Sequence, residues 1–292
     1  MEKKMSELTK NITWLDVQCD PEAVRVHEHG FVVLKETMGS DQTIVESARV
    51  SYGVGTKTVK DDRSLIRYLV RHHHTSPLEM GEVRLLVKCP VFVWRQWIRH
   101  RTANVNELSG RYSELPTEFF VPEQWRKQSG TNKQGGEEPM EYFPNLFGPT
   151  EHDAGLYAED VGFEEYDTRL KAGMSRELAR TCLPVSHYTM AYWKCDIHNL
   201  CHFLKLRMDK HAQKEIRDFA EAIYKLVKPK FPLVFEAFED YQLYGESVSR
   251  MEIAALKNLL ALVNKNQFDD SHFEGLVGRE LAEFKAKFGL DA

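Results

Sequence analysis

Three arginines, a histidine, a glutamate and a serine stand within thirteen residues: Arg99, His100, Arg101, Glu107, Ser109 and Arg111. Between Pro90 and Leu115 every basic side chain other than His100 is an arginine, and there is no lysine. A guanidinium is a planar fork that matches phosphate oxygens and the edges of carbonyl-bearing rings, whereas an ammonium acts as a point charge. The run NELSGR adds a turn whose Gly110 lets backbone N–H groups approach an anion closely. Glu107 can orient an arginine or accept from a sugar hydroxyl. This is chemistry for holding an anionic, ring-bearing ligand. The structural alternative is a salt-bridged loop that stabilises only itself, and spacing alone does not separate the two.

The whole chain narrows the ligand. Its net charge is -5 over 292 residues, which argues against wholesale binding of nucleic acid or of an anionic membrane. Local arginine clusters in a mildly acidic protein point instead to a small anion in a pocket. No window approaches the apolar length of a transmembrane helix, and MEKKMSELTKN lacks the apolar stretch of a secretory signal. The five cysteines (Cys19, Cys89, Cys182, Cys195, Cys201) are scattered, odd in number and without a CxxC pair. That fits reduced thiols in a cytoplasmic protein.

The elements that must position these residues follow from periodicity. Residues 1–27 read as a polar leader. GFVVLKETMG (30–39) reads as a strand and DQTIVESARVSYG (41–53) as a helix. RSLIRYLVRHHH (63–74) places Leu65, Ile66, Leu69 and Val70 at helical spacing. TSPLEM is a turn, because Pro77 pushes Ser76 out of helical geometry. EVRLLVKC (82–89) reads as a strand, and Pro90 is suited to open a helix through Arg101. That helix would set Gln96 and Arg95 on one face with Arg99. Residues 126–138 contain no aromatic or large aliphatic side chain and read as a flexible excursion. A helix resumes near 156, SRELARTCLP (175–184) is a short helix, and HYTMAYWKCD (187–196) a strand. Two helices follow, the second with Ile216, Phe219, Ala220, Ile223, Leu226 and Val227 on one face. Capping boxes at Ser249/Glu252 and Ser271/Glu274 open a helical tail carrying a stripe from Phe273 to Phe288. Helix and strand mixed without a βαβ rhythm predict an α+β fold.

Arg99-His100-Arg101, followed after seven residues by Ser109, resembles the signature of the flavin-dependent thymidylate synthases. HHHTSPLEMGEVRLLVKCPVFVWRQWIRHR, SRELARTCLPVSHYT and FLKLRMDKHAQKEI are similar to that family's segments in the same order, over roughly residues 28–240. The resemblance implies a mixed sheet flanked by helices, with a catalytic domain at 28–245, a flexible insertion at about 126–155 and a helical extension at 246–292. It implies dUMP, methylene-tetrahydrofolate and NADPH as substrates, FAD as cofactor, and a homotetramer whose active sites are shared between subunits.

It also assigns residues. Gln96, Trp97, Ile98 and Arg99, the turn Glu107, Leu108, Ser109, Gly110 and Arg111, and Arg180 and Arg207 are expected at dUMP. Arg207 is the catalytic candidate, its fork at uracil N3 and O2 polarising the ring so that C5 becomes nucleophilic without a covalent enzyme adduct. His74, Ser76, Arg99, His100, Arg101, Glu107, Asp196, Ile197, His198 and His202 are expected at FAD. One departure stands out: Asp196-Ile197-His198 replaces a common Asn-x-Arg, and a carboxylate near a flavin diphosphate is unfavourable unless paired.

Three other readings are weaker. His198 and His202 lie four apart near Asp196 and His211, but HExxH is absent and His72–His74 cannot all face one ion from a helix. A cysteine-dependent thymidylate synthase needs an activated thiolate, and no Pro-Cys-His stretch exists. Trp94, Trp97 and Tyr112 interleave with arginines as RNA-stacking platforms do, against which stand the net charge and the apolar context.

Overall fold

The computed structural model describes residues 22–51, 61–130, 135–140, 151–261, 272–273 and 275–290. The chain divides into two units, Met1–Tyr244 and Gly245–Ala292.

The first unit is built on a five-stranded sheet. Its strands are β1 (Val24–Val26), β2 (Gly30–Met38), β3 (Glu82–Pro90), β4 (Asn104–Glu107) and β7 (Tyr188–Asp196), in spatial order β1-β2-β3-β7-β4. Every pairing among them is antiparallel, so the fold is α+β with helix and sheet mixed but strand directions strictly alternating. The alternation of β3 and β7 sorts side chains between faces. Val83, Leu85, Val87, Cys89, Ala191, Trp193 and Cys195 enter the main core, while Phe31, Val33 and Leu86 form a smaller cluster with Met190 and Tyr192 packed against it.

Helices supply the rest of the main core: α1 (Asp41–Arg49), α2 (Asp62–Arg71), α3 (Val91–Trp97), α6 (Ile197–Arg207), α7 (Lys214–Val227) and α8 (Pro232–Phe238). Between α3 and α6 come α4 (Glu151–Lys171) and α5 (Arg176–Ala179), where Phe163, Tyr166 and Ala179 make a satellite cluster. The aromatic centre is Trp97, whose ring lies 5.6 Å from Trp193 and 5.0 Å from Phe203. It joins α3, β7 and α6, the three elements that surround the arginine segment.

Several expectations need correction. Residues 24–26 are not leader but an edge strand, turned back on β2 through His27, whose φ is 58°. The helix after Pro90 stops at Trp97 rather than Arg101, because the next amides bond three residues back, Arg99 N to Gln96 O and His100 N to Trp97 O. The helix from Asp41 ends at Arg49, and residues 52–60 lie outside the description. The excursion near 126 is a two-stranded hairpin, β5 (Arg126–Gln128) with β6 (Gly136–Pro139), held by Arg126 on buried Glu215 at 2.5 Å. The run NVNE, whose last two residues fall in the turn read over NELSGR, pairs with β7 from Asn104↔Lys194 to Glu107↔Ala191.

In the second unit α9 (Arg250–Ala261) opens on the expected reciprocal cap, with Ser249 N donating to Glu252 and Glu252 N to Ser249 Oγ at 3.2 Å. The rings of Phe273 and Phe288 lie tilted against Phe284, 5.6 and 4.8 Å away, around α10 (Gly278–Phe288). The Ser271/Glu274 box lies outside the described residues.

Candidate functional site

The arginine segment leaves α3, crosses a tight turn, runs along β4 and ends in the turn at Ser109–Ser113. Trp97 anchors its start in the core, Ile98 is half-buried and Arg99 and Arg101 point outward, exposed. Among the described residues neither Arg99 nor Arg101 has a carboxylate partner. The self-neutralising loop is therefore not what forms here. Two guanidiniums remain available to a ligand.

Arg207, the last residue of α6, reaches back to this turn. Its Nε donates to His100 Nε2 at 3.0 Å, and Nη2 donates to the Gln96 carbonyl at 3.3 Å. An imidazole nitrogen can accept only when unprotonated, so His100 must be neutral. Burial, then the charge of Arg207 and the neighbouring His202, lower its pKa from 6.5 to about 4. Burial also lowers the pKa of Arg207, which remains a cation at neutral pH. The Gln96 side chain donates to Gln213 Oε1 at 2.5 Å, a partner that the sequence reading missed. Its only signal was position, as the residue before a helix that must cap itself somehow.

Glu107 closes β4. Its two oxygens accept from Trp94 Nε1 at 2.9 Å and from Thr189 Oγ1 at 2.7 Å. Beyond it, Leu108 N donates to Met190 O, extending the pairing by one residue, and the Ser109 carbonyl accepts from Tyr112 N and Ser113 N. A Cβ at Gly110 would stand 2.9 Å from Leu115 and 3.1 Å from the Arg180 side chain, so glycine lets Arg180 lie across this turn. Arg111 meets Glu177 at 3.3 Å, both exposed. His187, not foreseen, belongs to the same corner: burial lowers its pKa, Glu107 and Arg180 act on it with opposite signs, and Nδ1 lies 2.6 Å from the Pro184 carbonyl.

The remaining candidates come from the segment after α2 and from the start and middle of α6. His74 and Ser76 are exposed along a cleft of 820 Å³ with Tyr68, His73, Thr75 and Pro77. His74 meets the Tyr68 ring edge-on rather than the arginine segment. Asp196 is the N-cap of α6; its carboxylate accepts from the Asn199 backbone N–H at 2.8 Å and side chain at 2.7 Å. Ile197 is fully buried, His198 half-buried, and His202 exposed with its ring 5.7 Å from His100.

The thiols are unsuited to nucleophilic attack. Cys89, Cys195 and Cys201 are buried, and burial pushes each pKa up, so none is a thiolate at neutral pH. Cys182 donates to two backbone carbonyls, and Cys19 lies outside the described residues.

Comparison with known proteins places this geometry. A family model described as thymidylate synthase complementing protein matches residues 32–233. The flavin-dependent thymidylate synthase of Dictyostelium discoideum is 49% identical over 263 residues, covering 86% of this chain and 85% of that protein. A protein of the same description from Thermus thermophilus is 50% identical over 242 residues, covering 82% and 87%. A crystal structure of the UMP/dUMP methylase PolB from Streptomyces cacaoi, bound with 5-Br dUMP, superposes with a TM-score of 0.64 at 33% identity. It covers 76% of this chain and all of that one.

Proposed function

Given that the chain belongs to the flavin-dependent thymidylate synthase family, we propose that it converts dUMP to dTMP by reductive methylation. Methylene-tetrahydrofolate donates the carbon and leaves as tetrahydrofolate, and NADPH is the source of reducing equivalents. When bound, FAD in its reduced form supplies the hydride that completes the methyl group.

The observation that carries this reading is the setting of Arg207. Among the described residues, two of its five N–H groups are engaged, by neutral His100 and by the Gln96 carbonyl. The rest of the fork is left for a ring edge; it suits uracil O2 as acceptor, joined by N3 when that nitrogen has given up its proton. Fixed donors of this kind stabilise charge that develops on the ring, which makes C5 a nucleophile. C5 then bonds to the methylene carbon, the carbon–nitrogen bond to folate breaks, and the C5 hydrogen leaves as a proton. No thiolate is needed, in keeping with the buried cysteines.

In this reading Gln96, Ile98, Arg99 and the turn from Glu107 to Arg111 hold the nucleotide, with Ser109, Arg111 and Arg180 toward its phosphate side and ring, while Trp97, whose side chain is fully buried, only anchors the segment. The donor set also fits a flavin with a diphosphate: the unpaired Arg99 and Arg101 supply charge, and Ser76 and His74 line a cleft wide enough for a ring system. The carboxylate of Asp196 is engaged by Asn199, so it does not face an anion bare. The protein works as a homotetramer with shared sites, in the cytoplasm. No helix among the described residues is long and apolar enough to cross a membrane.

The visible spectrum of the purified protein tests the cofactor, and dUMP-dependent NADPH oxidation with methylene-tetrahydrofolate tests the reaction. A colourless protein that takes up no added FAD, or oxidation indifferent to dUMP, would refute the reading.

A further inference from the structure

We propose that Trp94 and Thr189 form a clamp that aims the Glu107 carboxylate at the nucleotide, so that both are positioning residues for substrate binding. The inference rests on the reading that Glu107 meets dUMP.

Glu107 ends an edge strand whose only sheet partner among the described residues is β7. An exposed glutamate there has three free side-chain torsions, and ordering such a chain only when ligand arrives costs affinity. In this chain the ordering is done beforehand. Trp94 comes from α3 and Thr189 from β7, and each takes a different oxygen, Oε2 at 2.9 Å and Oε1 at 2.7 Å. Two donors on two separate elements fix both the position and the rotation of the carboxylate plane. Both donors are immobile themselves, being 2% and 3% exposed.

The chemistry of the donors matters as much as their place. An arginine or lysine partner would neutralise the carboxylate, whereas an indole N–H and a hydroxyl orient it and leave its charge intact. The remaining lone pairs of Glu107 then face outward as acceptors only. They suit a sugar hydroxyl or a ring N–H of the nucleotide and exclude a carbonyl edge.

A purely structural account would have Trp94 seek any acceptor because buried indole N–H groups need one. The neighbouring rings argue against it. Trp97 and Trp193 are 0% and 1% exposed in the same aromatic cluster, and neither indole nitrogen has a hydrogen-bond partner among the described residues. The core tolerates unpaired indoles, yet the one beside Glu107 is paired.

The test uses Thr189→Val, which keeps the shape and removes the hydroxyl, and Thr189→Ser, which keeps the hydroxyl. Trp94→Phe removes the indole donor from the other side and serves if the valine variant fails to fold. Calorimetric titration of the FAD-loaded protein with dUMP gives affinity, thermal melts give stability, and steady-state assays give kcat and KM separately. Loss of one hydrogen bond to a charged group should weaken dUMP by about tenfold or more in Thr189→Val, as a rise in KM larger than any fall in kcat. Thr189→Ser should bind within about twofold of the parent. Glu107→Gln separates the clamp from the assignment beneath it. If it leaves dUMP affinity unchanged, the assignment of Glu107 is wrong. If it weakens dUMP while Thr189→Val and Trp94→Phe bind normally, the clamp alone is refuted. Equal loss in Thr189→Val and Thr189→Ser, tracking a lowered melting temperature, would also overturn the clamp.

Discussion

A guanidinium fork is useful only if it is held still, and Arg207 is held by groups that do not compete for its charge. Lysine at 207 would keep the charge and lose the fork. Removing a preorganised donor of this type costs roughly a hundred- to a thousandfold in rate. Arg207→Lys is therefore expected to fold, bind FAD and permit normal reduction by NADPH, while dTMP formation falls by about two orders of magnitude. Stopped-flow reduction and single-turnover product analysis measure the two steps apart; near-normal dTMP formation would transfer the role to Arg180. The partner makes a second prediction. The pKa of His100 is depressed in the folded chain to about 4, from 6.5, chiefly by burial. Between those values the unfolded chain binds a proton that the folded chain refuses, so stability present above pH 6.5 is lost as pH falls toward 4. Protonation also removes the acceptor for Arg207 Nε. dUMP affinity should decline with an apparent pKa near 4, and His100→Asn should flatten that limb of the profile. An unchanged limb in that variant would assign the proton to another group.

At the scale of elements, α6 shows what the sequence could reveal and what it could not. IHNLCHFLKLRM reads as a helix, and Asp196 stands out where an asparagine is common. Its role in the fold is local: Asp196 caps the helix through Asn199, a contact three residues away that the one-dimensional pattern contains. Removing a capping carboxylate costs typically about 1 kcal/mol. Asp196→Ala should lower stability by that amount in denaturant melts, whereas Asp196→Asn should recover most of it. A variant as stable as the parent would show that the cap contributes nothing. By contrast β4 and the β5–β6 hairpin escaped notice. NVNE is short and polar, and it is a strand only because β7, more than eighty residues later, offers it an edge. The hairpin is pinned by Arg126 on Glu215, likewise distant in sequence. The arginine segment stands out by composition, which leaves a ligand-holding run and a self-bridged loop both open. That Trp94, Thr189, Gln213 and His187 stand around it is not legible in the sequence, since tertiary packing alone brings them there.

For the molecule as a whole, the proposed site residues fall into two groups. Arg207, His100 and Gln96 form one group, while His74 and Ser76 line a cleft whose rings contact Tyr68 and His72. A flavin stacked on a uracil must touch both sets at once, and symmetric association of identical chains brings distant patches of one chain together across an interface. The proposed sharing of sites between subunits has a consequence that a single-chain site lacks. A variant damaged only at Arg207 retains an intact His74–Ser76 cleft, and a variant damaged only at the cleft retains an intact Arg207. Coexpressed in one assembly, the two should build some sites entirely from undamaged residues. Arg207→Ala and a Ser76→Ala/His74→Ala double variant, each inactive alone, are therefore expected to regain a measurable fraction of dTMP formation when coexpressed and purified through different tags. Mixing them after separate purification, without subunit exchange, should restore nothing. If the coexpressed hybrid stays as inactive as its parents while remaining a yellow tetramer, both groups serve the same chain's site and the sharing between subunits is refuted.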